Sequence, residues 1–418
     1  MCIWGAKKMN PLHSNCTRLF TAIGLVFGIY ANAVQVKVSE APSDALEMTL
    51  AAIHSANHSI FMNAYELSSA DIANAIVDRV KAGVTVQILE EGQPVGGLSK
   101  PGKAIQQQIV DAINTSGDGH FFLMTSKVKS KRRYRFDHAK YAVIDGQDLL
   151  IGSENYSPTG NPSTGSVGNR GWEVIVTDTS LASQYQSIFA IDADTSHGDV
   201  EELTDNRVRA FRQISANPLS HFLDSMMPAA PTGNRSFIDA LPGFDASGIT
   251  KVTSPDTSLS GLSDLLSSAK TSIDLELMTF TPSWTKAKPV SPLYDAVLAA
   301  ARRGVRLRVL VNDERVFGGT DTSKMKNFQL VDQLNAASQS ESLNLEARIA
   351  DLKAMGVDYI HNKGALVDGN QTLISSINWD ENSVEHNREA AVVINCTDIN
   401  KHYSALFNSD WDNSSNSK

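Results

Sequence analysis

His138-Ala-Lys140-Tyr-Ala-Val-Ile-Asp145-Gly146-Gln147-Asp-Leu-Leu-Ile-Gly152-Ser153-Glu-Asn155 recurs later in the chain as His361-Asn-Lys363-Gly-Ala-Leu-Val-Asp368-Gly369-Asn370-Gln-Thr-Leu-Ile-Ser375-Ser376-Ile-Asn378. The His, Lys, Asp, Ser and Asn fall at identical intervals in both copies, so the match is one of spacing as well as composition. His138 and Lys140 stand two apart in a run rich in Tyr, Val and Ile, and on a strand they share a face. Asp145-Gly146 and Asp368-Gly369 are hairpin-turn signals. A two-residue turn at Gly146-Gln147 pairs Lys140 with Ser153 and His138 with Asn155, and a turn at Gly369-Asn370 pairs Lys363 with Ser376 and His361 with Asn378. Each copy then gathers an imidazole, an ammonium, a hydroxyl and a carboxamide on rigid backbone, a donor set suited to phosphate.

The repeat extends beyond this stretch. Leu46 to Ala56 has helical periodicity, Ser59 to Tyr65 reads as a strand, Ala70 to Ala82 as a helix and Val84 to Leu89 as a strand. The second half repeats the order over Leu259 to Ala269, Ser272 to Phe280, Pro292 to Arg303 and Val305 to Val311. One insertion, Trp284 to Ser291, accounts for the main change of offset between the halves. Strands alternating with helices predict α/β layers.

These residues resemble the paired catalytic motifs of the phospholipase D superfamily, and the likeness continues in Asn169-Arg170 and Asn387-Arg388-Glu389. The resemblance implies two similar α-β-α halves, each a mixed sheet flanked by helices, related by a pseudo-two-fold axis with both motifs at the interface. It implies a double displacement in which His138 attacks phosphorus and His361 is the general acid and base. Lys140, Lys363, Asn155 and Asn378 would hold the non-bridging oxygens, with Ser153 and Ser376 beside them. Asp145 and Asp368 complete the motifs, and their turn positions suit a structural role. Glu389 matches the superfamily's orienting carboxylate. Gly171 occupies the corresponding place in the first half, and Glu173, two residues on, is the substitute expected there. The resemblance implies no metal or cofactor.

A chain of 418 residues suits two domains. The expected boundaries are 1–33 as a signal peptide, 34–215 as the first domain, 216–258 as a linker and 259–418 as the second domain; within the wider connection from about Ala193 to Ser258, Val208 to Ala216 reads as a helix. Lys7, Lys8 and Arg18 precede an apolar run from Leu19 to Tyr30 and then Ala31-Asn32-Ala33, the pattern of a secretory signal; an uncleaved anchor is the alternative. After its removal no transmembrane segment is expected, the protein is expected to be secreted or periplasmic, and Cys396 is the one remaining cysteine.

The balance of 37 basic against 46 acidic residues argues against a protein that coats nucleic acid indiscriminately. Lys127, Lys129, Lys131, Arg132, Arg133 and Arg135 nevertheless run into His138, as a solvated loop or an anion-attracting rim. Trp172 and Trp379 read as core, with a lipid-pocket lining as the alternative. His120, His386 and His402 read as structural or exposed. Three loops border the motifs: Gly92 to Gly102, Pro158 to Gly168 and Val316 to Lys326.

The expected function is a monomeric, secreted phospholipase D acting on phospholipid at a membrane surface, with phosphatidic acid and a free head group as products and transfer to alcohols as a further outcome. The alternatives are a nuclease or a cardiolipin-synthase-like phosphatidyltransferase, and a non-catalytic binder of lipid or anionic polymer. Nucleic acid is not an obligatory partner in the leading reading.

Overall fold

In a computed structural model, which describes residues 33–116, 119–125, 132–203, 233–285 and 288–414, each copy of the repeated stretch is a hairpin at the centre of its own sheet. The first sheet holds β1 (Val34–Ala41), β2 (Ser59–Ala64), β3 (Thr85–Glu91), β4 (Gly119–Met124), β5 (Tyr141–Ile144), β6 (Asp148–Gly152) and β7 (Gly171–Thr177), with β8 (Val200–Glu202) and β9 (Gly243–Ala246) at its edges. Its order is β8-β4-β3-β2-β5-β6-β7-β1-β9. The second holds β10 (Gly248–Ser254), β11 (Ser272–Leu277), β12 (Arg306–Val311), β13 (Leu345–Ile349), β14 (Lys363–Val367), β15 (Gln371–Ser375) and β16 (Glu389–Asn395). Its order, β10-β16-β15-β14-β11-β12-β13, is that of the first sheet without the two added edges. In each sheet the three strands beginning at β2 or β11 run parallel and the hairpin pairs antiparallel, so both sheets are mixed.

Helices α1 (Ala45–Ser55), α2 (Ala70–Lys81), α3 (Lys100–Ser116) and α4 (Thr179–Asp192) flank the first sheet; α5 (Ser258–Ser268), α6 (Pro292–Arg302), α7 (Lys326–Glu341) and α8 (Thr397–Asn413) flank the second. The apolar positions on α1, α2 and α3 form one core layer with the first sheet, and those on α5, α6 and α7 form its counterpart on the second. A third layer is common to both halves, with Tyr185 and Phe189 of α4 and Tyr403, Phe407 and Trp411 of α8 packed between the sheets. The two central helices are fastened reciprocally: Tyr185 donates to the Ala391 carbonyl on β16 at 2.9 Å, and Tyr403 to the Glu173 carbonyl on β7 at 2.7 Å. Trp172 and Trp379 are fully buried, as expected of core residues.

Two expectations need correction. The stretch assigned to a linker, 216–258, contains β9 and β10, and β10 pairs with β16 along its whole length. Its prolines, Pro242 and Pro255, mark the ends of these strands, while the intervening Ile249, Thr250, Val252 and Thr253 are residues that fit a half-buried pleated surface. The signal segment and the helix expected at Val208 to Ala216 lie outside the described residues, as do Lys127, Lys129 and Lys131.

The hairpin register also differs by one residue. Asp145 and Gly146 take positive φ angles of 51° and 65°, and Asp368 and Gly369 take 52° and 70°. The turn is therefore centred on Asp-Gly, where two left-handed residues match strand twist. Ile144 faces Asp148 and Val367 faces Gln371, so Lys140 falls opposite Gly152 and Lys363 opposite Ser375. Asp is fixed there by a second interaction: the Asp145 carboxylate accepts from the backbone N–H groups of Asn57, His58 and Ser59 at 2.8 to 2.9 Å, and Asp368 does the same for Lys270, Thr271 and Ser272 at 2.7 to 3.0 Å. Both carboxylates bind the start of the neighbouring strand, at the far end of the hairpin from the histidines.

Candidate active site

The two halves meet through reciprocal backbone bridges at the histidines. His138 N–H donates to the Arg388 carbonyl at 2.8 Å, and His361 N–H donates to the Arg170 carbonyl at 2.8 Å. The arginines return the interaction, Arg388 N–H to Phe136 and Arg170 N–H to Tyr359, each at 2.9 Å. Their guanidinium groups cross between halves as well: Arg388 pairs with Asp192 at the end of α4 at 2.8 Å, and Arg170 with Asp410 in α8 at 2.7 Å. All four side chains are buried. Burial raises the Asp192 and Asp410 carboxyls, and the facing arginines counter it. A buried pair of this kind fixes geometry more than it adds stability, because each partner alone would be an uncompensated charge.

Each histidine is held by a carboxylate from the opposite half. His138 Nδ1 lies 2.9 Å from both oxygens of Glu389, which also accepts from Ser376 Oγ at 2.6 Å and Asn387 Nδ2 at 2.9 Å. His361 Nδ1 lies 3.2 Å from Glu154, which accepts from Asn169 Nδ2 at 2.9 Å and Ser153 Oγ at 3.4 Å. The carboxylates are not in equivalent positions. Glu389 begins β16, whereas the residue that begins β7 is Gly171; Glu154 lies in the first repeat, whereas the second has Ile377 there. A Cβ on Gly171 would lie 2.1 Å from Glu154 Oε1, so the glycine vacates the volume that the relocated carboxylate fills. One functional group thus arrives from two different places in the repeat.

Lys140 and Lys363 are buried, and each donates to the carbonyl of the histidine two residues before it, at 2.6 and 2.5 Å. Burial lowers Lys140 to about 8, against the pull of Glu389, Asp137 and Glu154. Burial and the neighbouring Lys140 lower Lys363 to about 7. Burial and the lysines push His138 well below its ordinary value and His361 down to about 4. Burial would raise Glu154, but His361, Lys363 and Asn169 hold it below the usual carboxylate range, while Glu389 is pushed up by burial to about 7. The site is a cluster of cations crowded enough to repel one another, which a bound anion would relieve. Tyr65 stands edge-on to His138 with ring centroids 4.6 Å apart and lies 5.0 Å from the Lys140 ammonium; Tyr359 stands edge-on to His361 at 5.7 Å.

The family model described as "Cardiolipin synthase, PLD-like domain" matches residues 49–193 and again 262–411, together well over half of the chain. The chain belongs to this phospholipase D-like family. Among its curated relatives, the mitochondrial cardiolipin hydrolase of Chlamydomonas reinhardtii is 27% identical over 157 residues, which span 37% of this chain and 58% of that protein. The mitochondrial cardiolipin hydrolase of Xenopus tropicalis is 28% identical over 158 residues, 37% of this chain and 62% of that protein. The alignments therefore cover about three fifths of these relatives' length. The crystal structure of phosphatidylserine synthase from Haemophilus influenzae shares the fold, with a TM-score of 0.61 over 91% of this chain and 88% of that one at 14% identity.

On this phospholipase D-like fold the structure brings together His138, Lys140, His361, Lys363 and Glu389. Asn155 and Asn378 follow the second strand of each hairpin, and each leaves a carboxamide oxygen buried without a hydrogen-bond partner. Ser153 and Ser376 are fully buried, donate to the orienting carboxylates and accept from the Trp172 and Ala390 N–H groups near the starts of β7 and β16, so they position the site and do not face it. Glu173 makes no contact with His138: it is buried against Gly152, and burial raises its carboxyl well above the usual value. The carboxylate missed by sequence reasoning is Glu154, visible as the acidic residue inside Gly152-Ser153-Glu-Asn155 but hidden by the search for symmetry. Tyr65 and Tyr359 carried no signal. Among the described residues of the basic run, Arg132 is committed to Glu91 and Arg133 to Asp199, and Arg135 is exposed. His120 pairs with Glu202 and His402 with Glu40, both away from the histidine pair. Among the described residues no helix is long and apolar enough to cross a membrane.

Proposed function

We propose that this protein is a phospholipase D, cleaving the distal phosphodiester of a glycerophospholipid to phosphatidic acid and a free head group. The observation that carries the reading is the pair of histidines, each held at Nδ1 by a buried carboxylate from the other half, beside two buried lysines. With Nδ1 donating to Glu389, His138 presents an unprotonated Nε2, and its depressed proton affinity keeps it neutral and nucleophilic. His138 is also the more accessible ring, its side chain 13% exposed against 4% for His361. Attack by Nε2 forms a P–N bond and breaks the P–O bond to the head group, whose alkoxide takes a proton from His361. Burial and the two lysines keep His361 neutral in the free site; the diester's negative charge between Lys140 and Lys363 offsets the lysines' share and, with Glu154, favours the protonated ring when substrate is bound. In the second half-reaction His361 accepts the proton of water or an alcohol, the new P–O bond forms, and the P–N bond breaks to restore His138.

The relatives' description as cardiolipin hydrolases supports a phospholipid diester as substrate. The description of the family as cardiolipin synthase supports transfer to an alcohol as the alternative fate of the same intermediate. Export through the N-terminal segment belongs to the proposal and is tested by the N-terminal residue of the protein recovered from its host. The function is tested by incubating the protein with phosphatidylcholine vesicles containing ethanol and, separately, with single-stranded DNA. Phosphatidic acid with phosphatidylethanol is the expected outcome, lost in both His138→Ala and His361→Ala. Cleaved DNA with untouched lipid would overturn it.

A further inference from the structure

Seven large apolar side chains are exposed among the described residues, and four of them, Val95, Val167, Val316 and Phe317, lie on the three loops that border the histidines. Their exposures are 79%, 61%, 46% and 58%. Val95 and Phe317 are each one residue from a histidine, and the Val167 loop is joined to the segment that carries Tyr359. Val95 N–H donates to Tyr65 Oη at 2.8 Å, and the Tyr65 ring contacts His138. Phe317 stands edge-on to Tyr359 at 5.5 Å, and Tyr359 contacts His361. Val167 precedes Gly168, whose carbonyl accepts from Asp358 beside Tyr359 at 2.8 Å.

The backbone holds these side chains outward. Val95 occupies the turn closed by Gly97 N–H to Pro94 at 2.8 Å, with Gly96 at φ +85°. Val316 and Phe317 occupy the turn closed by Gly318 N–H to Arg315 at 3.0 Å, with Gly318 at φ +89°. Val95 follows β3 as Val316 follows β12, so the duplication places an apolar tip on each side of the shared site. Two cations of the second tip are paired, Arg315 with Asp313 at 2.6 Å and Lys324 with Asp321 at 2.8 Å, while Lys326 at its far end is exposed. Beside the apolar side chains, the second tip thus carries two internally paired cations rather than a basic cluster, on a chain of net charge −9.

We propose that these tips form a docking rim that enters the surface of a phospholipid bilayer by apolar insertion, seating the mouth of the site over the head-group phosphates. The inference rests on the reading of the site as one that acts on phospholipid. Apolar contact, not attraction to anionic lipid, drives the seating, so binding is insensitive to salt.

The test is sedimentation with phosphatidylcholine vesicles, using His138→Ala protein so that turnover does not alter the lipid. Protein with native tips partitions onto vesicles equally at low and high salt. The triple change Val95→Ser, Val167→Ser, Phe317→Ser lowers the partition coefficient by about tenfold or more. In the active background the same triple change lowers turnover of vesicles while leaving hydrolysis of a water-soluble phosphodiester within about twofold. Equal vesicle binding by both forms, binding lost at high salt, or a triple change that abolishes self-association instead of vesicle binding overturns the proposal. Vesicle binding through the tips with no hydrolysis of either substrate supports the rim and contradicts the assignment of the site, so the two failures are distinct.

Discussion

Gly171→Ala adds one methyl group, and the geometry assigns it a large effect. The new Cβ would sit 2.1 Å from Glu154 Oε1 and 2.6 Å from both Glu154 Cγ and Ser153 Oγ. No real structure tolerates such distances, and Glu154 is fully buried, so its carboxylate must leave the position 3.2 Å from His361 Nδ1. Overpacking of this size costs about 1–3 kcal/mol. In a chain of this length that lowers the melting temperature by only a few degrees. Turnover is the sensitive readout, because loss of the carboxylate that holds a catalytic imidazole costs up to about 10⁴-fold in a well-studied triad. The expected loss in kcat on a soluble phosphodiester is about 10²-fold or more, with Glu154→Gln losing at least as much. Since both changes act through one carboxylate, the double variant should be no slower than Glu154→Gln alone. Gly171→Ala with at least half of the native kcat, or a double variant whose losses multiply, would refute the role given to Glu154.

Two further outcomes follow from the same geometry. Arg388→Met strands Asp192 in the interface between halves and should cost about 3–5 kcal/mol in urea unfolding, whereas Arg388→Met combined with Asp192→Leu should recover most of it. Anion affinity should fall as pH rises: Lys363 and Lys140 titrate near about 7 and about 8 in the free site, and a bound anion favours their protonated forms. Binding therefore takes up protons at and above neutral pH, and sulfate affinity measured calorimetrically should weaken by about a decade or more from pH 6.5 to 9; affinity constant over that range would contradict the placement of both ammonium groups in the site.

Much of this arrangement is legible in the chain because duplication writes it twice. The strand-helix order, the hairpins and the two His-Lys pairs all follow from periodicity and matched spacing. What escapes is whatever departs from symmetry or depends on contact across the interface. The register is displaced because the left-handed residues are Asp145 and Gly146, and the Asp is held there by backbone donors nearly ninety residues earlier in the chain. Glu154 and Glu389 perform one task from non-equivalent positions, so comparison of the halves pointed to Glu173 instead. The crossings of Arg170 to Asp410 and Arg388 to Asp192 join residues separated by roughly half the chain, and no local pattern announces them. β9 and β10 are obscured by Pro242 and Pro255, which bound the pair.

The central claim is that one phosphate passes between two histidines supplied by the two halves. The most direct measurement is rapid alkaline quenching of the protein with a short-chain phosphatidyl-p-nitrophenol, whose leaving group departs without a proton, followed by peptide mass mapping. A phosphatidyl adduct on the His138 peptide, accumulating in His361→Ala and absent from His138→Ala, is the expected result. Product formed at the native rate with no adduct on either histidine, or full turnover in either single variant, would contradict it.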